Sequence, residues 1–167
     1  FPQPSPPFRQ EPLVSTLEAY FQGKKDLFGG LAMERWEKDW ESYLVLHIDF
    51  SLTKYMELTD LTGQLNLFLH RWEKIYGKDE AEKTASERLQ GIILRASEQI
   101  GKQVAVLIDE YDAPLLDSNS DTALQQQLRN EMRKFFSPPQ EVGAVSSLSL
   151  HHRHQQVQPT EHLQRTE

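Results

Sequence analysis

The 167-residue chain contains no cysteine, which excludes a disulfide framework and any zinc site built on thiolates. No apolar run approaches the ~20 residues a helix needs to cross a bilayer, and the amino terminus lacks the charged, apolar and small-residue succession of a secretory signal. These absences set the expectation of a cytoplasmic protein with no membrane partner. Because the first residue is Phe1 rather than methionine, the native start is expected elsewhere. Basic charge is also short: 18 Lys and Arg against 25 Asp and Glu leave a formal charge of -7 and a pI near 5.4. Holding nucleic acid mainly by charge needs clustered cations facing phosphates, so only local basic patches stay open for that use. The length suits one domain and is small for a complete doubly wound nucleotide fold, which points to a fragment.

What is present is well punctuated. Leu13, Leu17, Tyr20 and Phe21 recur at helical spacing and Gly23 follows as a left-handed stop. SYLVLHIDF, Ser42 to Phe50, is a compact run of branched and aromatic residues that predicts a buried strand ending on Asp49. Leu61, Leu65, Phe68, Leu69, Trp72 and Tyr76 trace one face of a helix starting near Thr59 or Asp60 and stopping at Gly77. A further helix is predicted from about Thr84 to Ile100, with Leu89, Ile92, Ile93, Ala96 and Ile100 inward and Gly101 closing it. VAVLID then predicts a second strand, and Asp121 a cap for a helix carrying Leu124, Leu128, Met132 and Phe135. Non-alternating strands separated by helices imply a parallel sheet covered on both faces, hence an α/β class.

Such sheets place ligands beyond the carboxyl ends of their strands, where Asp49, Asp109, Glu110 and Asp112 all fall. An apolar run ending in Asp-Glu suits Mg²⁺-nucleotide chemistry, the Asp accepting from the metal's waters and the Glu polarising the attacking water. The bland alternative is that a strand ends in Asp merely to cap a helix or bind a loop amide. A second alternative is direct metal binding by the four acids for phosphodiester hydrolysis in a nuclease-like protein, although no acidic residue and lysine follow on one strand as that chemistry needs. A third is an inert remnant whose acids repel one another.

Taken in order, LVSTLEAYFQGKKDLFGGLAMERWEKDW, YLVLHIDFS, SERLQGIIL and GKQVAVLIDEYDAPLLD resemble the AAA-ATPase-like domain of bacterial proteins that often carry a PD-(D/E)XK nuclease-like domain further along. The resemblance runs from about Leu13 to Ser137. It implies an incomplete P-loop NTPase-like parallel sheet flanked by helices, with ATP and Mg²⁺ as cofactors and a nuclease-like domain as a possible partner in the intact gene. It further implies that Asp109 and Glu110 are the Walker B pair: Asp109 holds Mg²⁺ through water, Glu110 is catalytic, and Asp49 and Asp112 are supporting acids of the cofactor site.

The resemblance also implies a Walker A segment directly before VSTLEAYF, and FPQPSPPFRQEPL stands there instead. Synonymous codons for PQPSPPFRQEP, regrouped one base later, read LSRPRRFGKSL. Codons for Leu150 to Glu167, regrouped the same way, read FITGISKFSQLSIFSEL, similar to the segment the family places after its Walker B helix. Residues 1–12 are therefore read as an out-of-frame, disordered head, 13–137 as the partial domain and 138–167 as an out-of-frame, disordered tail.

A phosphate loop needs glycine so that amides can wrap the phosphates, lysine to neutralise them and a hydroxyl for Mg²⁺. The corresponding residues here are Arg9, Gln10 and Glu11, among prolines that lack an amide donor, so ATP binding is expected to be lost or very weak. Polyproline recognition by the head and metal binding by His151, His152 and His154 are weaker readings of the same ends. Elsewhere, Trp36, Trp40 and Trp72 are expected to pack, His47 to be a core histidine bonded to backbone, and Arg129 and Arg133 to lie on a solvated helix face with a γ-phosphate contact as the alternative.

Overall fold

The computed structural model describes residues 12–137 and, as backbone, the strand at 145–149. Arg9, Gln10, Glu11 and the three tail histidines lie outside the described residues. The elements run α1 (Pro12–Phe21), α2 (Ala32–Trp36), β1 (Leu44–Asp49), α3 (Leu58–Tyr76), α4 (Ala85–Ile100), β2 (Val104–Asp109), α5 (Ala113–Asp117), α6 (Thr122–Phe135) and β3 (Val145–Ser149), with short 3-10 turns at Lys25–Phe28 and Phe50–Leu52. The class is α/β.

The three strands form one parallel sheet in the order β1-β2-β3. The register of the first pair runs from Leu44 opposite Val104 to Asp49 opposite Asp109. Strand alternation divides the side chains between two faces. Leu46, Ile48, Val104, Val106 and Ile108 join a core with Leu61, Leu65, Phe68 and Leu69 of α3, Leu89, Ile92, Ile93 and Ala96 of α4, and Leu128, Met132 and Phe135 of α6. Ala105 and Leu107 are buried outside that cluster, and α1 packs against both β1 and β2.

Local chemistry sets the helix ends. Thr84 Oγ1 accepts from the Glu87 amide while the Glu87 carboxylate accepts from the Thr84 amide at 2.8 Å, and Gly101 closes α4 in the left-handed region at φ 67°. Asp121 caps α6 by accepting from the Leu124 amide at 2.9 Å. The cap of α3 is Glu57 rather than Thr59 or Asp60, because Asp60 turns back to accept from the Glu57 and Met56 amides, each at 2.9 Å.

Several expectations are corrected. Trp36 is 79% exposed and does not pack in the core, since α2 is a short helix with no buried residue. Trp40 and Trp72 do pack, against Tyr20 and Phe28 and against Phe68 respectively. Ile100 lies exposed at the last position of α4. Residues 145–149, expected within a disordered tail, form β3, which occupies the edge of β2 that β1 leaves open.

Candidate functional site

The site lies where β1 and β2 end. Parallel pairing in register puts Asp49 beside Asp109, so the two strands deliver their carboxylates to the same edge of the sheet. Behind them Ile48, Phe50 and Ile108 are buried, which anchors the strand ends.

The two acids are handled differently by the chain that follows. Asp49 Oδ1 accepts from the Ser51 amide at 2.8 Å and so starts the 3-10 turn Phe50–Leu52. Asp109 Oδ1 accepts from the amide of Glu110 at 2.9 Å. Glu110 has φ 50°, the only non-glycine residue in the left-handed region among the described residues. A side chain there costs about 1–3 kcal/mol, and such strain concentrates at ligand sites. The turn swings the chain out of β2 and into α5 within a few residues.

Asp112 stands at the amino end of α5 without capping it through its side chain, and its Oδ1 is buried with no hydrogen-bond partner. A buried carboxylate oxygen without a donor is costly, and this one sits three residues after Asp109. Asp117, at the other end of α5, ties that helix to the chain after β1. Its carboxylate accepts from Lys54 Nζ at 3.0 Å and from the Tyr55 amide at 3.2 Å. Tyr55 is fully buried and donates its hydroxyl to the Phe50 carbonyl at 3.0 Å. Burial, reinforced by the charges of Asp49, Asp117 and Asp60, pushes its phenol well above the ordinary value. Tyr55 and Asp117 were not singled out from the sequence. The only signal was their position just beyond the two acidic strand ends.

The four predicted acids thus share one edge, but they do not form a carboxylate cage. Among the described residues no group of three or more His, Cys, Asp or Glu side chains could hold a metal ion. Two of the acids are drawn onto backbone amides at their own turns, each through one carboxylate oxygen. His47 is corrected: its Nε2 is buried without a partner instead of bonded to backbone. Arg129 and Arg133 are exposed on α6. No helix among the described residues is long and apolar enough to cross a membrane.

The chain is 30% identical over 132 residues to a protein of Azotobacter chroococcum mcd 1 described as an uncharacterized protein in the vnfD 5' region. That alignment takes in 78% of this chain and 25% of the relative, so the chain spans about a quarter of the relative's length. No solved structure matches. The family model described as Predicted AAA-ATPase matches residues 8–148, and the chain belongs to this AAA-ATPase-like family.

Proposed function

We propose that this domain derives from an ATP-binding and ATP-hydrolysing P-loop unit whose catalytic acids are intact and whose phosphate loop is scrambled. The observation that carries the reading is the register pairing of Asp49 with Asp109, followed at once by Glu110 on a strained backbone. In this reading Asp109 accepts hydrogen bonds from the waters of a Mg²⁺ ion, and Glu110 orients the attacking water by accepting from it. Asp49 and Asp112 are supporting acceptors. The residues suit a hydrated ion: carboxylates offer only acceptors, the buried Asp112 Oδ1 lacks a donor, and Mg²⁺ keeps several waters that supply donors. When bound, the ion would neutralise charge on the phosphates.

The missing element is cationic. Arg9, Gln10 and Glu11 replace the glycine, lysine and hydroxyl residue a phosphate loop requires, so this chain binds ATP weakly. A one-base slip gained near Phe1 and lost again near Pro12 accounts for the substitution, a further slip after Ser137 accounts for the tail, and a nuclease-like domain is a candidate partner in the intact gene. The test is titration of fluorescently labelled ATP with Mg²⁺ into this chain and into a version carrying LSRPRRFGKSL at residues 2–12. The repaired chain should bind at least tenfold more tightly, and Glu110→Gln in it should keep binding while losing hydrolysis. Tight binding by the chain as it stands would overturn the lost-loop reading, and no binding by the repaired chain would overturn the ATP site itself. Sequencing the underlying DNA tests the slip independently.

A further inference from the structure

At the opposite end of the sheet from the acidic edge lies a pocket of about 250 Å³ lined by Tyr20, Glu37, Asp39, Trp40, Glu41 and Tyr43. Tyr20 comes from the end of α1, Tyr43 immediately precedes β1, and the acids and Trp40 lie on the segment between α2 and β1. The rings are braced from behind. Phe28, itself buried, packs on Trp40 at a centroid distance of 5.0 Å, Tyr20 meets Trp40 edge-on at 5.7 Å, and Phe21 meets Tyr43 at 5.6 Å. Two carboxylates are held against the rings by the phenols, Tyr20 donating to Glu37 Oε2 at 2.6 Å and Tyr43 to Glu41 Oε2 at 3.1 Å.

Among the described residues no Lys, Arg or His lines the pocket, and no ion pair uses Glu37, Asp39 or Glu41. Lys102, on the neighbouring loop, is engaged with Ser42 Oγ at 3.0 Å. The walls register the resulting negative field. Both phenols are pushed above their ordinary value, Tyr20 to about 12, first through their hydrogen bonds to Glu37 and Glu41. The Tyr20 hydroxyl in turn holds the Glu37 carboxyl below the usual range, so it is charged at neutral pH. Trp40, one of the walls, also has a buried Nε1–H with no acceptor among the described residues.

Preformed aromatic surface and uncompensated carboxylates together describe a receptor for an organic cation. We propose that this pocket binds the guanidinium or ammonium group of a basic amino-acid residue. The carboxylates supply the charge and the rings the cation–π surface. Sodium or potassium would match only the acids, and a neutral aromatic ligand would leave them unpaired.

The test follows the indole N–H resonances of the intact chain by ¹H–¹⁵N NMR at constant ionic strength, with Trp40→Phe used to assign the Trp40 signal. N-acetyl-arginine amide should move the Trp40 signal saturably while those of Trp36 and Trp72 stay in place. Its neutral isostere, N-acetyl-citrulline amide, and the double variant Glu37→Gln with Glu41→Gln should each bind roughly tenfold more weakly or worse. Tighter binding of an arginine-containing peptide than of free arginine assigns the source to a polypeptide, and the reverse order assigns it to the free amino acid. Equal binding of the citrulline compound, or no saturable shift in a chain whose circular dichroism is intact, overturns the proposal. Neither readout involves ATP, so the result stands apart from that of the nucleotide test.

Discussion

The α3/α4 hairpin and the carboxyl edge of the sheet both bring acids toward the interior, and they treat them in opposite ways. In the hairpin Glu73 is buried and receives hydrogen bonds from Arg88 Nε at 2.6 Å and Nη2 at 2.9 Å, while Arg88 Nη1 donates to Asn66. Glu82 is clasped by Arg95 in the same two-pronged manner. At the edge, Asp112 Oδ1 has no donor and Glu110 is held in the left-handed region. A buried charge is tolerated when it is paired and hydrogen-bonded. The hairpin's carboxylates obey that rule, although Arg95 Nε is buried without a partner among the described residues, and the edge leaves a carboxylate oxygen open, the contrast expected if the edge is the ligand site proposed above.

The largest effect should come from breaking the hairpin's rule. Glu73→Ala strands the Arg88 guanidinium between two helices and is expected to cost about 3–5 kcal/mol in urea unfolding. Replacing both partners, Glu73→Leu with Arg88→Met, should recover most of that loss, because no charge is then left uncompensated. A double variant as unstable as the single one would show that the pair stabilises beyond the desolvation it relieves.

The same pair sets a pH dependence whose sign is fixed. The Arg88 guanidinium holds the Glu73 carboxyl below its ordinary value, although burial pulls the other way. A carboxyl depressed in the folded state contributes stability that is fully present above its unfolded value, about 4.3, and is lost as pH falls through the folded value. The chain should therefore lose stability on acidification below about pH 4. Glu73→Gln should be less stable at pH 7 and should flatten that part of the profile. An unchanged acid limb in Glu73→Gln would place the pH dependence on other carboxylates.

At the edge the expected sign reverses. Glu110→Gly removes a side chain from a left-handed backbone and should stabilise the fold by about 1 kcal/mol. A destabilised Glu110→Gly would mean that the glutamate's contacts outweigh the backbone strain.

How much of this was legible in the sequence follows from how local each cause is. The long helices were readable because Leu61, Leu65 and Phe68, or Leu89, Ile92 and Ala96, mark a face through spacing alone, and Thr84, Asp121 and Gly101 act within a turn of themselves. Asp49 and Asp109 were readable as strand ends, and their side-by-side placement followed from parallel pairing. The cap at Glu57 was missed because a glutamate there works only through the returning carboxylate of Asp60. Strand β3, VSSLS, carries little apolar signal, and its existence depends on the open edge of a strand far away in the chain. Nothing in DEYD announces a positive φ, since no glycine stands there, and the unpartnered Asp112 oxygen is visible only once its surroundings are known.

The smallest effect offers the sharpest contrast, because it uses one substitution at two mid-helix glycines. Glycine in a helix interior costs up to about 1 kcal/mol relative to alanine. At Gly63 in α3 a Cβ would meet open space, so Gly63→Ala should stabilise by about 0.5–1 kcal/mol. At Gly91 in α4 a Cβ would land on the Glu82 carboxylate and against Arg95, displacing the clasp that lies over it. The helix gain is then offset by pushing a mostly covered ion pair out toward solvent, a loss of about 1 kcal/mol once both partners are hydrated, and Gly91→Ala should leave the melting temperature nearly unchanged. Adding Glu82→Ala to both variants separates the two contributions. With the carboxylate already gone, Gly91→Ala should regain the benefit seen at Gly63. If it still does not, glycine at 91 is required by the backbone packing of α4 rather than by the charge pair above it.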